Sequence, residues 1–239
     1  MDAMTQENLA PIREQVYKDP RPEAYFERFH RRSRSRDPDG VYEAVRMATS
    51  LTAWTFFRLR GRGAEKVPTE GPVILAPNHF SFMDHFFVGA LIRRRVRFMA
   101  KSRLFVPPMQ WIYTHGGVFP VRRGVQDEEA FVTAGGILER GGAIVMYCEG
   151  GRSRTGEMSA RPRRGIGRLA LESGAPVVPV AVHGSSHVRN WRRGHFPKVT
   201  VRFGDVVRWE RTPTPTRDQQ QAVADEVLAR IKRLYATLG

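Results

Sequence analysis

The chain has 239 residues, 41% hydrophobic and 26% charged, a globular composition that excludes wholesale disorder and a polytopic membrane protein. With Cys148 as its single cysteine, it has neither a disulfide framework nor a zinc site built on cysteine pairs. Its 39 basic residues, only five of them lysines, exceed the 24 acidic ones by 15, and arginine's planar fork suits phosphate, so an anionic partner is expected: nucleic acid, phospholipid headgroups or a phosphorylated substrate.

Residues 1 to about 40 are polar and rich in charge and proline, and read as a loosely structured arm with short helical pieces. No basic tip followed by an apolar run opens the chain, and no run of 18 or more apolar residues occurs, so neither a targeting signal nor a spanning helix is expected. Val41 to Leu59 reads as a helix with one strongly apolar face, preceded by the basic run His30 to Arg36. That pairing, with Trp54, Phe56 and Phe57 clustered, suits a helix lying in the headgroup layer of an anionic membrane; the alternative is a helix packed on the domain behind a solvated basic loop. Gly61-Arg62-Gly63 reads as a break.

From there strands and helices alternate. Apolar runs at Val73 to Ala76, Val96 to Met99, Val118 to Val121, Ala143 to Tyr147 and Val177 to Val182 read as strands. Phe82 to Arg94, Pro107 to His115, Gln126 to Arg140 and Arg164 to Ser173 read as helices between them. Val199 to Val207 alternates like an edge strand or hairpin arm, and Arg217 to Leu238 is a long amphipathic helix. This order implies an α/β fold, a mostly parallel central sheet covered by helices on both faces. It also divides the chain into a basic segment at residues 1–62, the candidate for membrane contact, and an α/β domain at residues 63–239.

Polar clusters follow three of the strands: Asn78 to Asp84, Arg122-Arg123-Gly124 and Glu149 to Ser153. Ligands of open α/β sheets bind outside the carboxyl ends of the strands, so these clusters are expected to converge on one mouth. His79 and Asp84 are five residues apart, about 500° around a continuous helix, so they meet only if His79 lies in the loop and Asp84 in the first helical turn. Asp84 would then bond one ring nitrogen and leave the other as a base for an alcohol. The plainer alternative makes Asp84 a capping-box acid with Ser81, and His79 an ordinary loop residue.

The run Asn-His-x-Ser-x-x-Asp after a Val-Ile-Leu-Ala-Pro strand resembles the first motif of the PlsC-like glycerolipid acyltransferases. Gly116 to Arg122 resembles their second block, Tyr147-Cys148-Glu149-Gly150-Gly151-Arg152-Ser153 their third (usually Phe-Pro-Glu-Gly-Thr-Arg-Ser), and Ala175 to Ala181 their fourth. The resemblance spans about residues 60 to 210. It implies transfer of a fatty acyl group from acyl-CoA or acyl carrier protein to lysophosphatidic acid, giving phosphatidic acid. His79 would be the base and Asp84 its partner, with Arg122, Glu149, Gly150, Gly151 and Arg152 on the acceptor. Glycerol 3-phosphate, another lysophospholipid or a glycolipid are alternative acceptors, and a non-catalytic basic binding protein is the alternative outside the enzymes. The resemblance further implies no metal, no cofactor beyond the acyl donor, no nucleic-acid partner, and a cytoplasmic location at the inner face of the cell membrane.

Cys148 stands where that motif has proline, and Gly151 where it has threonine, removing one hydroxyl. Of the doubled Arg122-Arg123, spacing favours Arg122. Cys148 reads as packing, Lys101 as a solvated lysine or, after its strand, one within reach of a phosphate, and His183 and His187 as core or surface histidines. Arg189, Arg192 and Arg193 with Trp191 read as a solvated face or as contacts for headgroups or CoA phosphates. Gly165-x-Gly167-x-x-Ala170 follows no strand, so it is not a dinucleotide fingerprint.

Overall fold

The computed structural model of the chain describes residues 18–125 and 127–238. Among them β1 (Arg60–Arg62), β2 (Val73–Pro77), β3 (Arg97–Lys101), β4 (Val118–Val121), β5 (Ala143–Val145), β6 (Val177–His183) and β7 (Thr200–Phe203) form one sheet, in the order β1-β7-β6-β2-β5-β3-β4. Strands β2 to β6 run parallel; β7 is antiparallel to β6, and β1 pairs parallel with β7. The helices are α1 (Ala24–Ser35), α2 (Gly40–Phe57), α3 (Asp84–Leu91), α4 (Met109–His115), α5 (Glu128–Glu139), α6 (Gly165–Ser173) and α7 (Arg217–Ala236). This is the mostly parallel, helix-covered α/β sheet that the strand–helix alternation requires.

The side-chain period of two divides the core. Along β2, Val73 and Leu75 enter the layer under α2 and α3, whereas Ile74 and Ala76 enter the layer under α5, α6 and α7. Both faces are buried, which is why the strand reads as an unbroken apolar run. Truncating Leu75 or Ile144, each fully buried, to alanine would cost about 2–5 kcal/mol. The two helices α6 and α7 touch at Gly167, where an added Cβ would lie 1.9 Å from the Gln220 carbonyl oxygen. That close approach is the physical reason for the glycine. Thr216 starts α7 with a capping box: its hydroxyl accepts from Gln219 N, and the Gln219 side chain accepts from Thr216 N.

Several expectations need correction. The arm before residue 40 contains a regular twelve-residue helix, α1, that buries Phe26 and Phe29 against Phe105; residues 1–17 and the expected helix start at Gln126 lie outside the described residues. The break at Gly61 to Gly63 is largely the edge strand β1, whose ladder comes from β7 rather than from its own exposed Arg-Gly-Arg sequence. As a result β7 is an inner strand, not an edge. The Phe82 to Arg94 helix is confined to Asp84–Leu91. Phe57 is buried, packing 5.4 Å from Phe87, while Trp54 and Phe56 stay exposed. With Tyr42 and Ala53 also in the core, α2 packs beside α3 in the same layer.

Candidate active site

Because β2, β5, β3 and β4 are adjacent and parallel, the loops leaving their carboxyl ends open on one rim of the sheet. The three polar clusters meet there, joined by a fourth that follows β3.

His79 lies in the loop after β2, and its Nδ1 is 2.9 Å from Asp84 Oδ2 in the first turn of α3. The same carboxylate oxygen accepts from Phe80 N (2.7 Å) and Ser81 N (2.8 Å). Asp84 therefore clasps the loop and holds the imidazole at once, so the two readings of its role coexist. Ser81 does not complete a capping box; its hydroxyl accepts from Met83 N at 3.1 Å. A carboxylate accepts only, so the ring proton sits on Nδ1 and the Nε2 lone pair is left as a base. Burial pushes the His79 imidazolium below the ordinary histidine range; Asp84 opposes this, and Arg152 and Arg123 add to it. The resting imidazole is neutral at pH 7. Tyr147 stacks on it, with ring centroids 3.8 Å apart and planes at 21°. His85, the next residue, is pushed down to about 4, by burial first and then by the positive charge that His79 would carry.

Other polar groups fix this loop to its neighbours. The fully buried Asn78 amide donates to Val182 O (3.0 Å) and accepts from Val182 N (2.7 Å), locking the loop to β6. Glu149 accepts from His79 N (2.8 Å) and Ser159 N (2.9 Å), and Ser153 N donates to His79 O (2.8 Å). Glu149 is thus spent on two backbone N–H groups, and burial raises its carboxyl above the usual range. Gly150 adopts φ +69°, and a Cβ there would meet Arg163 Cγ at 2.8 Å. It and Gly151 turn the chain between Tyr147 and Arg152. Arg189 donates to Phe80 O (3.2 Å), to Arg154 O (2.7 Å) and to Ser153 O. It clamps the first and third loops together and is not part of a solvated face.

The cations differ from expectation. Arg122 turns away: its Nη1 pairs with Glu23 Oε2 at the start of α1 (3.1 Å), and its N–H donates to Asp127 Oδ2 (2.5 Å). Arg123 is the one whose charge reaches His79. Arg123, Arg152 and Arg103 feel one another's charge, and the guanidinium groups of Arg123 and Arg152 are depressed mainly by burial. Lys101, at the end of β3, is lowered to about 8 by burial and then by Arg123, Arg103 and Arg152. Of these, Arg103 went unnoticed in the sequence, while Lys101 and Arg123 were weighed there and set second; the signal for Lys101 was positional, since it closes a strand as the three clusters do. Cys148 is buried and its thiol is raised to about 12, consistent with packing rather than nucleophilic attack. No group of three or more His, Cys, Asp or Glu among the described residues is placed to hold a metal ion.

A base with an orienting carboxylate beside a convergent cation cluster can deprotonate a hydroxyl on a molecule that carries an anionic group. Comparison with known proteins agrees with that chemistry. The chain is 24% identical over 148 residues to the chloroplastic 1-acyl-sn-glycerol-3-phosphate acyltransferase LPAT1 of Arabidopsis thaliana, covering 60% of this chain and 41% of that one. It is 30% identical over 173 residues to a glycerol-3-phosphate acyltransferase of Aeromonas hydrophila (63% and 21%). It is 28% identical over 130 residues to the 1-acyl-sn-glycerol-3-phosphate acyltransferase of Saccharomyces cerevisiae (52% and 43%). The chain thus spans less than half the length of these relatives. The fold matches the crystal structure of the acyltransferase PlsC from Thermotoga maritima with a TM-score of 0.65 at 23% identity, over 90% of this chain and 88% of that one. Residues 58–183 match the family model described as Acyltransferase, and the chain belongs to that family.

Proposed function

We propose that the protein is a membrane-associated O-acyltransferase that moves a fatty acyl group from acyl-CoA or acyl carrier protein to the free hydroxyl of lysophosphatidic acid. The observation that carries this reading is the His79–Asp84 pair, 2.9 Å apart, on the same rim as Lys101, Arg123 and Arg152. His79 Nε2 takes the proton of the acceptor hydroxyl as its oxygen attacks the thioester carbonyl. Asp84 holds the imidazole in register and stabilises the imidazolium. The tetrahedral adduct collapses, the C–S bond breaks, and the proton passes from His79 to the leaving thiolate. Three cations held close together repel one another, and a dianionic phosphate repays that cost with charge-assisted hydrogen bonds. In this reading Arg123 and Lys101 join Arg152 on the phosphate, and Glu149, Gly150 and Gly151 shape the loop that presents them.

The membrane contact rests on an exposed apolar surface. Met47 (73% exposed), Leu51, Trp54 and Phe56 on α2 are joined by Leu104, Val106, Met109 and Trp111 around α4. No described helix is long and apolar enough to cross a membrane. We therefore place the enzyme as a peripheral protein on an anionic, cytoplasmic leaflet, with α2 as the main contact. The relatives named as glycerol-3-phosphate acyltransferases favour one second reading, in which glycerol 3-phosphate is the acceptor.

Mass spectrometry of products from purified protein, offered acyl-CoA with lysophosphatidic acid, glycerol 3-phosphate and a phosphate-free monoacylglycerol, tests both. Phosphatidic acid as main product, abolished by His79→Ala with vesicle binding retained, is the expected result. Undiminished transfer by His79→Ala would refute the assigned base.

A further inference from the structure

The segment just before α1 reaches across to the cation cluster. Asp19 is almost fully buried, and its Oδ2 accepts from Ser102 Oγ (2.7 Å) and Arg21 Nη2 (2.7 Å). Its Oδ1 accepts from Arg21 Nε (2.9 Å) and Arg21 N (3.2 Å). The fork thus formed hands its remaining donors to the turn after β3: Arg21 Nη1 to Phe105 O (2.7 Å) and Nη2 to Ser102 O (2.8 Å). The guanidinium lies 4.7 Å over the Tyr25 ring and 4.8 Å over Phe26, and the Tyr25 hydroxyl also donates to Phe105 O. Two residues further on, Glu23 pairs with Arg122 in the loop after β4. Asp19, Arg21 and Glu23 therefore grip the turn that carries Arg103, next to Lys101 at the end of β3, and the loop that carries Arg123.

The physical need for such a grip is plain. Like charges brought together at the end of β3, in the turn after it and in the loop after β4 repel one another, and the Asp19–Arg21 fork holds that turn in place against the repulsion. We propose that residues 19–23 are a positioning element of the phosphate site. The Asp19–Arg21 fork fixes the Ser102–Phe105 turn so that Lys101 and Arg103 stay on the rim, while Glu23 draws Arg122 outward and leaves Arg123 facing His79. Residues before α1 thereby set the preference for a phosphorylated acceptor. The inference rests on the reading of the site as a taker of phosphorylated acceptors.

The test uses the full-length chain carrying Arg21→Lys, which keeps the charge but not the fork, and Asp19→Asn, with Glu23→Gln as a third, less disruptive variant. Inorganic phosphate is titrated calorimetrically into each, and steady-state acylation is measured with lysophosphatidic acid and with monoacylglycerol. Arg21→Lys and Asp19→Asn should weaken phosphate binding and raise KM for lysophosphatidic acid by about tenfold or more, the worth of a lost charge-assisted contact. Their kcat, the KM for acyl-CoA and turnover of the phosphate-free acceptor should stay within about twofold of wild type. Glu23→Gln should raise KM for lysophosphatidic acid in the same direction, with a wild-type melting temperature. Variants that bind phosphate as wild type does would overturn the proposal. So would a uniform fall in every kinetic parameter together with the melting temperature, which is what a merely structural brace predicts. If the wild type itself binds no phosphate, the reading of the site fails first, and the positioning role fails with it.

Discussion

Asp84→Asn removes a charge and leaves the geometry in place. Three donors converge on Asp84 Oδ2: Phe80 N, Ser81 N and His79 Nδ1, at 2.7, 2.8 and 2.9 Å. Two of them are backbone N–H groups that cannot turn away, so an asparagine must set its carbonyl oxygen there and its NH2 at Oδ1, which has no hydrogen-bond partner among the described residues. The imidazole keeps its tautomer. What is lost is the charge that stabilises the imidazolium, the difference between a charge-assisted and a neutral hydrogen bond, about 1–2 kcal/mol, or roughly 5- to 30-fold in kcat. The pH profile supplies an independent sign. Asp84 pushes the His79 imidazolium upward against burial, Arg152 and Arg123. Removing that push moves the acid limb of kcat/KM, which lies below pH 6.5 in the wild type, to still lower pH. Asp84→Ala differs in kind: it strands two buried N–H groups at about 1–3 kcal/mol each, and the melting temperature falls by about 2–4 °C per kcal/mol. Stopped-time acyl-CoA assays from pH 4.5 to 9, paired with thermal melts, measure both. A wild-type kcat with an unmoved limb in Asp84→Asn would refute the role of the charge, and a limb displaced upward would contradict the electrostatics.

Arg123→Ala should raise KM for a phosphorylated acceptor by about tenfold or more, whereas Arg122→Ala, which only releases the tie to Glu23, should raise it no further than Glu23→Gln does; the reverse order would restore the assignment that spacing favoured. Lys101, lowered to about 8, loses its proton as pH rises through that value, so KM for the phosphorylated acceptor should climb above pH 8 and Lys101→Arg should abolish the climb. Folding stability should decline on acidification. His30, His79, His85, His183 and His187 are all pushed below the ordinary histidine value by burial, so the unfolded chain binds protons that the folded chain refuses. The loss begins as pH falls through 6.5 and, for His85, continues to about 4. Asp19, held near 2 mainly by Arg21, begins to add its own loss only below about 4. Urea midpoints that stay constant from pH 7.5 to 4.5 would rule this out.

The sheet was legible because its inner strands are buried on both faces and are therefore written as apolar runs; β2, β5 and β6 needed no more than that. Strand β1 was not legible. Its three residues are exposed and polar, and its identity comes from pairing with a strand about 140 residues away. In the site, the His79–Asp84 pair was legible because a loop followed by a helix start leaves few ways to arrange five residues. The choice between Arg122 and Arg123 was not. Successive residues leaving a strand point to opposite sides, so a shift of one position exchanges the arginine that faces the ligand for the one that faces Glu23. Lys101 and Arg189 failed for a related reason: a single cation in sequence carries no mark of whether three other cations, or three carbonyl oxygens, surround it.

Three residues of the rim share a pattern that bears on how the site works. Glu149, Arg189 and Asn78 are polar side chains, and each is spent on backbone groups of a neighbouring loop or strand. Hydrogen bonds hold the His79 loop from three directions: β6 through Asn78, the third loop through Glu149 and the Ser153 N–H, and the clamp of Arg189 on Phe80. A base that must meet a hydroxyl and a thioester carbonyl together gains more from such rigidity than from any one added contact, because misplacement by an ångström costs rate at every encounter. Beside these residues lie Arg123, Arg152 and Arg103, whose positive charges act on one another. In the acyltransferase reading, the loops are therefore closed by protein–protein hydrogen bonds around the base and left electrostatically open beside it, which is the division of labour expected of a site whose anionic substrate completes its own charge balance.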